Sequence, residues 1–333
     1  MCSEVIGNRR NIEYLEGAAR EGRLAHAYII NGEKGSGKKT LAGFIARGLL
    51  CEKKRPLSEG PCGSCPACIK TRSGNHPDLV YVKHEKENVL SVGEIRSGLV
   101  ADIGIKPFYG PYKIYIVEDA GLMTDSAQNA LLKTMEEPPE YGIIFLLTEN
   151  ADVLLETVRS RCVRLDTERL TGQQLKARLS AAGADGARTE AAIAFSGGNL
   201  GKTLEILSDS AAAKLTNDMA AFLSDIADSD AAALYAQAAK IEKSEQAHAL
   251  EITEKWFRDV LLLKACEGQD IKLYFPAERT GLKHAAAVMS YEDLDAAFAE
   301  LANAKRRLKA NVKADAVFEV LFLELRKHMR SCA

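Results

Sequence analysis

Two stretches of this sequence place residue types at spacings that can do chemistry. The first is GEKGSGKKT, residues 32–40. Gly32, Gly37 and Lys38 fit the pattern Gly-x-x-x-x-Gly-Lys, with a further glycine at Gly35. In such a loop, backbone amides cradle phosphate oxygens at the start of a helix, and the lysine reaches the β- and γ-phosphates. The next residue is normally Ser or Thr, whose hydroxyl holds Mg2+. Here it is Lys39, whose charge repels the ion. Thr40 has a hydroxyl, but one step along a helix turns it by about 100°. The apolar run 113–117 leads to a second departure. It should end in Asp-Glu, the Asp near Mg2+ and the Glu orienting water, yet the order is Glu118-Asp119. Both carboxylates have the wrong length for the usual role. ATP with Mg2+ is therefore a doubtful cofactor, and a glycine-rich turn without ligand is the alternative.

The second stretch is CEKKRPLSEGPCGSCPAC, which places Cys51, Cys62, Cys65 and Cys68 at C-x10-C-x2-C-x2-C. Four thiolates complete the tetrahedral set of a structural zinc ion, and a closed set leaves no open position for catalysis. A short polar loop of this kind takes its order from the metal. The alternatives are unrelated thiols, disulfides, which a reducing cytosol disfavours, or an iron–sulfur cluster. The ferredoxin-like run continues with Cys and Pro, whereas Ile69 follows Cys68 here. Cys2, Cys162, Cys266 and Cys332 are scattered.

These residues need elements to position them. Residues 25–31 read as a strand that enters the glycine loop, and 39–51 as the helix that leaves it. Further strands are expected at 78–82, 113–119 and 141–150, and a helix at 124–139, capped by Thr124 or Asp125 and ended by Pro138 and Pro139. Strands alternating with helices imply a parallel α/β sheet. After about residue 166 the chain turns Ala-rich and helical, with a break at SGGNLGK (196–202). The expected plan is α/β plus all-α: residues 1–166 as a nucleotide-binding-like domain with a zinc module at 51–68, 167–208 as a small helical lid, and 209–333 as a helical oligomerisation domain. Net charge is −2 from 44 basic and 46 acidic residues. That balance argues against a chain that wraps DNA unaided. The absence of an apolar run long enough for a membrane span or of a signal-peptide core points to the cytoplasm, with no membrane partner.

Read together, HAYIINGEKGSGKKT, NHPDL, YKIYIVEDAGLMTDSAQNALLKTMEEPP and LLETVRSRC resemble the clamp-loader subunits of bacterial DNA polymerase III, which are AAA+ ATPases and their relatives. The resemblance covers most of residues 1–208 and is weaker at WFRDVLLLK (256–264) and NVKADAVFEVLFLELR (311–326). It is nearer to the delta prime type than to the ATP-hydrolysing tau/gamma type. Lys39, the Glu118-Asp119 order, and Gly201 where the tau/gamma pattern carries a nucleotide-sensing arginine all depart from an active ATPase. The resemblance implies an AAA+ module with a helical collar. The chain would sit in a hetero-pentamer with tau/gamma and delta subunits, which opens the sliding clamp and places it on primed DNA. It implies a subunit of the DNA-synthesising nucleotidyltransferase holoenzyme with weak or absent ATPase of its own; a catalytically active tau/gamma-type subunit is the alternative. Arg161 in Ser160-Arg161-Cys162 falls at the family's arginine finger, aimed at a neighbour's nucleotide. Thr148 falls at its first sensor, with a strand-end hydrogen bond as the other reading. His76 is read as fixing a turn.

Overall fold

The computed structural model describes residues 5–84, 89–184, 186–208, 210–266, 271 and 273–330. Contacts divide the chain into two compact units, Met1–Gln174 with Asn199–Lys202, and Leu175–Gly198 with Thr203–Ala333.

The first unit is built on five strands: β1 (Ala27–Asn31), β2 (Leu79–Val82), β3 (Lys113–Val117), β4 (Gly142–Thr148) and β5 (Val163–Asp166). They pair in the order β2-β3-β4-β1-β5, and every pairing is parallel. The helices are α1 (Arg9–Arg20), α2 (Lys38–Leu50), α3 (Pro66–Arg72), α4 (Val92–Ile95), α5 (Asp125–Glu136) and α6 (Glu156–Arg159). β3 and β4 are buried along their whole length, as both faces of a crossover-connected sheet must be. Alternate residues feed two cores. Tyr28, Ile30, Ile114, Ile116, Phe145 and Leu147 pack with α1 and α2. Ile29, Tyr115, Val117, Ile144 and Leu146 pack with α4, α5 and α6 on the other face.

β1 to β4 each lie within the range expected for them, one to three residues shorter, and the parallel α/β module is present. β5 is an addition, an edge strand whose one buried residue is Leu165. α5 starts at Asp125 because the Thr124 hydroxyl accepts from the Ala127 amide at 3.2 Å, and it stops at Glu136, before the two prolines. The polar end of β3 is not exposed. Lys113 is buried, and its ammonium lies 2.9 Å from Asp102, which also accepts from the Tyr115 hydroxyl at 2.8 Å.

The second unit is helical: α7 (Gly172–Ser180), whose first turn lies in the first unit, α8 (Ala187–Ser196), α9 (Leu200–Ser208), whose first three residues also lie in the first unit, α10 (Ser210–Asp225), α11 (Ala231–Ala239), α12 (Gln246–Ala265), α13 (Arg279–Val288), α14 (Tyr291–Lys309) and α15 (Ala314–Arg330). Its core joins Ala192, Phe195 and Ile206 to Trp256, Phe257, Phe318 and Phe322. Trp256 is wholly buried, the packing role its sequence suggests. Asp259 is buried too, and accepts from the Tyr274 and Phe275 amides at 2.6 and 3.0 Å. Among the described residues no helix is long and apolar enough to cross a membrane.

Candidate phosphate-loop site and metal centre

β1 runs into the glycine loop and α2 leaves it, with Gly37 as the N-cap. Gly35 and Gly37 have φ of 80° and 86°, a region that glycine enters without the Cβ penalty. Gly32 is fixed by crowding instead. A Cβ there would lie 1.9 Å from the Thr167 hydroxyl oxygen, which donates to Ser36 Oγ at 3.0 Å. Residues 199–202 hold the loop from another side. Asn199 Nδ2 donates to the Lys34 carbonyl at 2.8 Å, and the Gly201 amide donates to the Gly35 carbonyl at 3.0 Å. The two backbones meet so closely that a Cβ on Gly201 would lie 2.5 Å from Gly35 Cα.

Lys38 folds back on this loop, its Nζ donating to the Gly32 and Glu33 carbonyls at 2.7 and 3.0 Å. Burial lowers its pKa, opposed by the charges of Glu149, Asp119 and Glu33. Lys39 reaches across to the end of β3. Its Nζ lies 2.9 and 3.0 Å from the two carboxylate oxygens of Glu118, and Lys83 stands 4.0 Å from the same group. Asp119 has left-handed backbone at φ 49° and faces His84 Nε2 at 3.3 Å. Thr40 is exposed.

Thr148 is buried at the end of β4. Its hydroxyl donates to the Asn150 carbonyl at 2.9 Å and accepts from the Asn150 amide at 3.2 Å. That is the strand-end bond its position allows. Arg161 follows α6, donating from Nη1 to the Thr157 carbonyl and from Nη2 to Glu136 Oε1 on α5, both at 2.9 Å. The fold thus gathers the loop, Glu118-Asp119 and Thr148 at the carboxyl ends of β1, β3 and β4, where open α/β sheets bind ligands. Arg161 bonds to α5 and α6 instead.

The four cysteines converge. Cys51 is the C-cap of α2 and Cys65 the N-cap of α3. Their Sγ atoms and those of Cys62 and Cys68 all lie within 4.8 Å of one another, and Cys62 and Cys68 are 3.9 Å apart. A tetrahedral ion with bonds of about 2.3 Å spaces its sulfurs by about 3.8 Å. The Cys65 and Cys68 amides donate to the Cys62 and Cys65 sulfurs, both at 3.4 Å. Chiefly through the Ser64 amide, the Cys62 thiol is brought down to about 5, whereas burial pushes Cys68 up to about 12. The donor set and its geometry fit a thiolate-bound metal. Cys2 and Cys332 lie outside the described residues.

His76 is buried beside this module, and its Nδ1 accepts from the Asp78 amide at 3.1 Å, the turn-fixing role. Asp78 is fully buried and accepts from the Phe108 and Tyr109 amides at 2.7 and 2.8 Å. Sequence reading singled out neither Asp78 nor Thr167 nor Asn199. Each acts on residues far along the chain, and no local pattern announces it.

A family model described as DNA polymerase III, delta subunit matches residues 7–171. This region of the chain, just under half of it, is similar to that family. The region includes the glycine loop, the four clustered cysteines, Glu118-Asp119, Thr148 and Arg161. The chain is 38% identical over 155 residues to the DNA polymerase III subunit delta' of Escherichia coli, covering 46% of each chain. It is 34% identical over 181 residues to the DNA polymerase III subunit tau of Bacillus subtilis, covering 53% of this chain and 31% of that one. It therefore spans less than half the length of these two curated relatives. A solved DNA polymerase III gamma subunit-related protein of Thermotoga maritima is 18% identical, with TM-score 0.47, over 96% of this chain and 99% of its own.

Two measurements test the module. The chain purified without chelator should carry about one tetrahedral metal ion, and Cys65→Ser should lose it together with several degrees of Tm. Burial also holds the His76 pKa below its ordinary value. Its contribution to stability is therefore complete above about pH 6.5 and is lost as pH falls below that. With metal saturating, the drop in Tm from pH 7.5 to 5.5 should be smaller in His76→Asn than in the parent.

Proposed function

We propose that this chain is a delta prime-type subunit of a DNA polymerase III clamp loader, an assembly component whose own ATP site does not turn over. The observation that carries this reading is the ion pair between Lys39 and Glu118. A hard cation needs oxygen ligands. At the position of the usual hydroxyl the loop presents an ammonium, and that ammonium occupies the nearest carboxylate. This donor set does not fit Mg2+. The close approach of Gly201 to Gly35 supports the same reading, because an arginine cannot enter there without moving the loop.

The partners in this reading are tau/gamma and delta subunits in a cytoplasmic hetero-pentamer, the sliding clamp, and primed DNA reached through the assembled complex. A net charge of −2 suits a subunit that shares its DNA contacts with others. The thiolate site would hold Zn2+, which supplies only order to the 51–68 loop, as a closed four-sulfur set must.

Arg161 is the residue that serves catalysis elsewhere. Its guanidinium is bound to Glu136 and remains 37% exposed. In the ring it would exchange Glu136 for the γ-phosphate of a neighbouring subunit and neutralise charge developing on the phosphoryl oxygens. Retention of Lys38 and a hydroxyl at Thr40 favours a second reading, an active tau/gamma-type ATPase.

In a complex reconstituted with tau/gamma and delta subunits, Arg161→Ala should leave the pentamer intact by size. It should lower DNA-stimulated ATP turnover by at least about tenfold, a threshold set below the roughly 10³- to 10⁵-fold effect of arginine fingers in other phosphoryl-transfer systems. Unchanged turnover by an intact pentamer would remove the finger role.

A further inference from the structure

β2 lies at the edge of the sheet, beside β3. In their ladder the Ile114 amide donates to the Asp78 carbonyl at 2.8 Å and the Glu118 amide to the Val82 carbonyl at 3.0 Å. Residues 78, 80 and 82 therefore turn their backbone groups toward β3, and strand alternation turns those of 79, 81 and 83 the other way. The Leu79 amide is taken by the His76 carbonyl at 3.1 Å. The Tyr81 amide and carbonyl, the Leu79 carbonyl and the Lys83 amide face outward.

Along this edge runs a groove of about 720 Å3, walled by His76, Pro77, Leu79, Tyr81, Lys83 and Lys39. Its charge is one-sided. Lys39 and Lys83 share the single carboxylate of Glu118. Arg47 adds a third positive field at the Tyr81 hydroxyl. Burial favours neutral His76, and Asp119 is turned to His84. An edge strand with outward amides is a template for another strand. A groove beside it that gathers cations selects acidic side chains on that strand.

We propose that the β2 edge is a docking site for an extended acidic segment of a partner protein. The segment adds to β2 as a further strand and sets a carboxylate against Lys83 and Lys39. Main-chain bonds to Leu79, Tyr81 and Lys83 supply affinity, and the lysines select the sequence. The inference rests on the edge and its groove, and stands whether or not the clamp-loader reading does.

The test uses the full chain and two fluorescein-labelled octapeptides, one alternating Thr and Glu, the other alternating Thr and Lys. Fluorescence anisotropy at low salt reads binding, and hydrogen exchange reads the β2 amides. The Thr-Glu peptide should bind, the Thr-Lys peptide should not, and the Tyr81 amide should exchange more slowly in the complex. Lys83→Glu, checked for an unchanged Tm, should weaken binding by about fivefold or more. The proposal is overturned by no binding of the Thr-Glu peptide up to about 1 mM, by equal binding of both peptides, or by binding that leaves the Tyr81 amide unchanged. It is also overturned if a twelve-residue oligothymidine protects that amide more strongly than the peptide, which would mark a nucleic-acid groove.

Discussion

The chain can approach itself as closely as it does at Gly35 and Gly201 only where no Cβ intervenes, and the site at the end of β1 is shaped by that constraint. Gly35 meets Gly201, and Gly32 leaves room for the Thr167 hydroxyl. A loop held on both sides in this way presents its carbonyls at a fixed place. The Lys38 ammonium settles on two of them rather than extending over the loop. Lys39, the next residue along α2, then points across to the end of β3, where Glu118 receives it. The site that results has the backbone of a phosphate cradle and the side-chain chemistry of a closed salt bridge.

Charge is managed the same way elsewhere in the first unit. Buried Lys113 is matched by Asp102, and buried Asp78 by two amides of the 108–109 loop. An unmatched buried charge would cost far more than these pairs return. Lys39, Lys83 and Glu118, nearer the surface, set two cations against one carboxylate, and that surplus sits beside the sheet edge.

Much of this was legible in the sequence, for reasons that can be named. β1, β3 and β4 are buried on both faces, so each reads as an unbroken apolar run. The four cysteines need only their spacing to declare a common centre, and the Thr124 cap follows from its place before the α5 pattern. β5 escaped notice because it has four residues and buries one of them. The clamps on the glycine loop escaped for another reason. Thr167 and Ser36 are 131 residues apart, and Asn199 and Lys34 are 165 apart; only the folded chain brings them together. Thr148 carries a residue type that suits both a sensor and a strand end, and its bonds to Asn150 are those of a strand end. The divisions at 166 and 208 follow changes in composition, whereas Ala192 and Phe195 share a core with Trp256.

The central claim is that the Lys39–Glu118 pair stands in place of a working metal site. Steady-state ATP turnover by the purified chain alone, with Mg2+ and primed DNA, tests it most directly when measured beside Lys38→Ala. The account predicts no turnover above that variant. Turnover that disappears with Lys38→Ala would contradict it, and would make the chain a motor subunit.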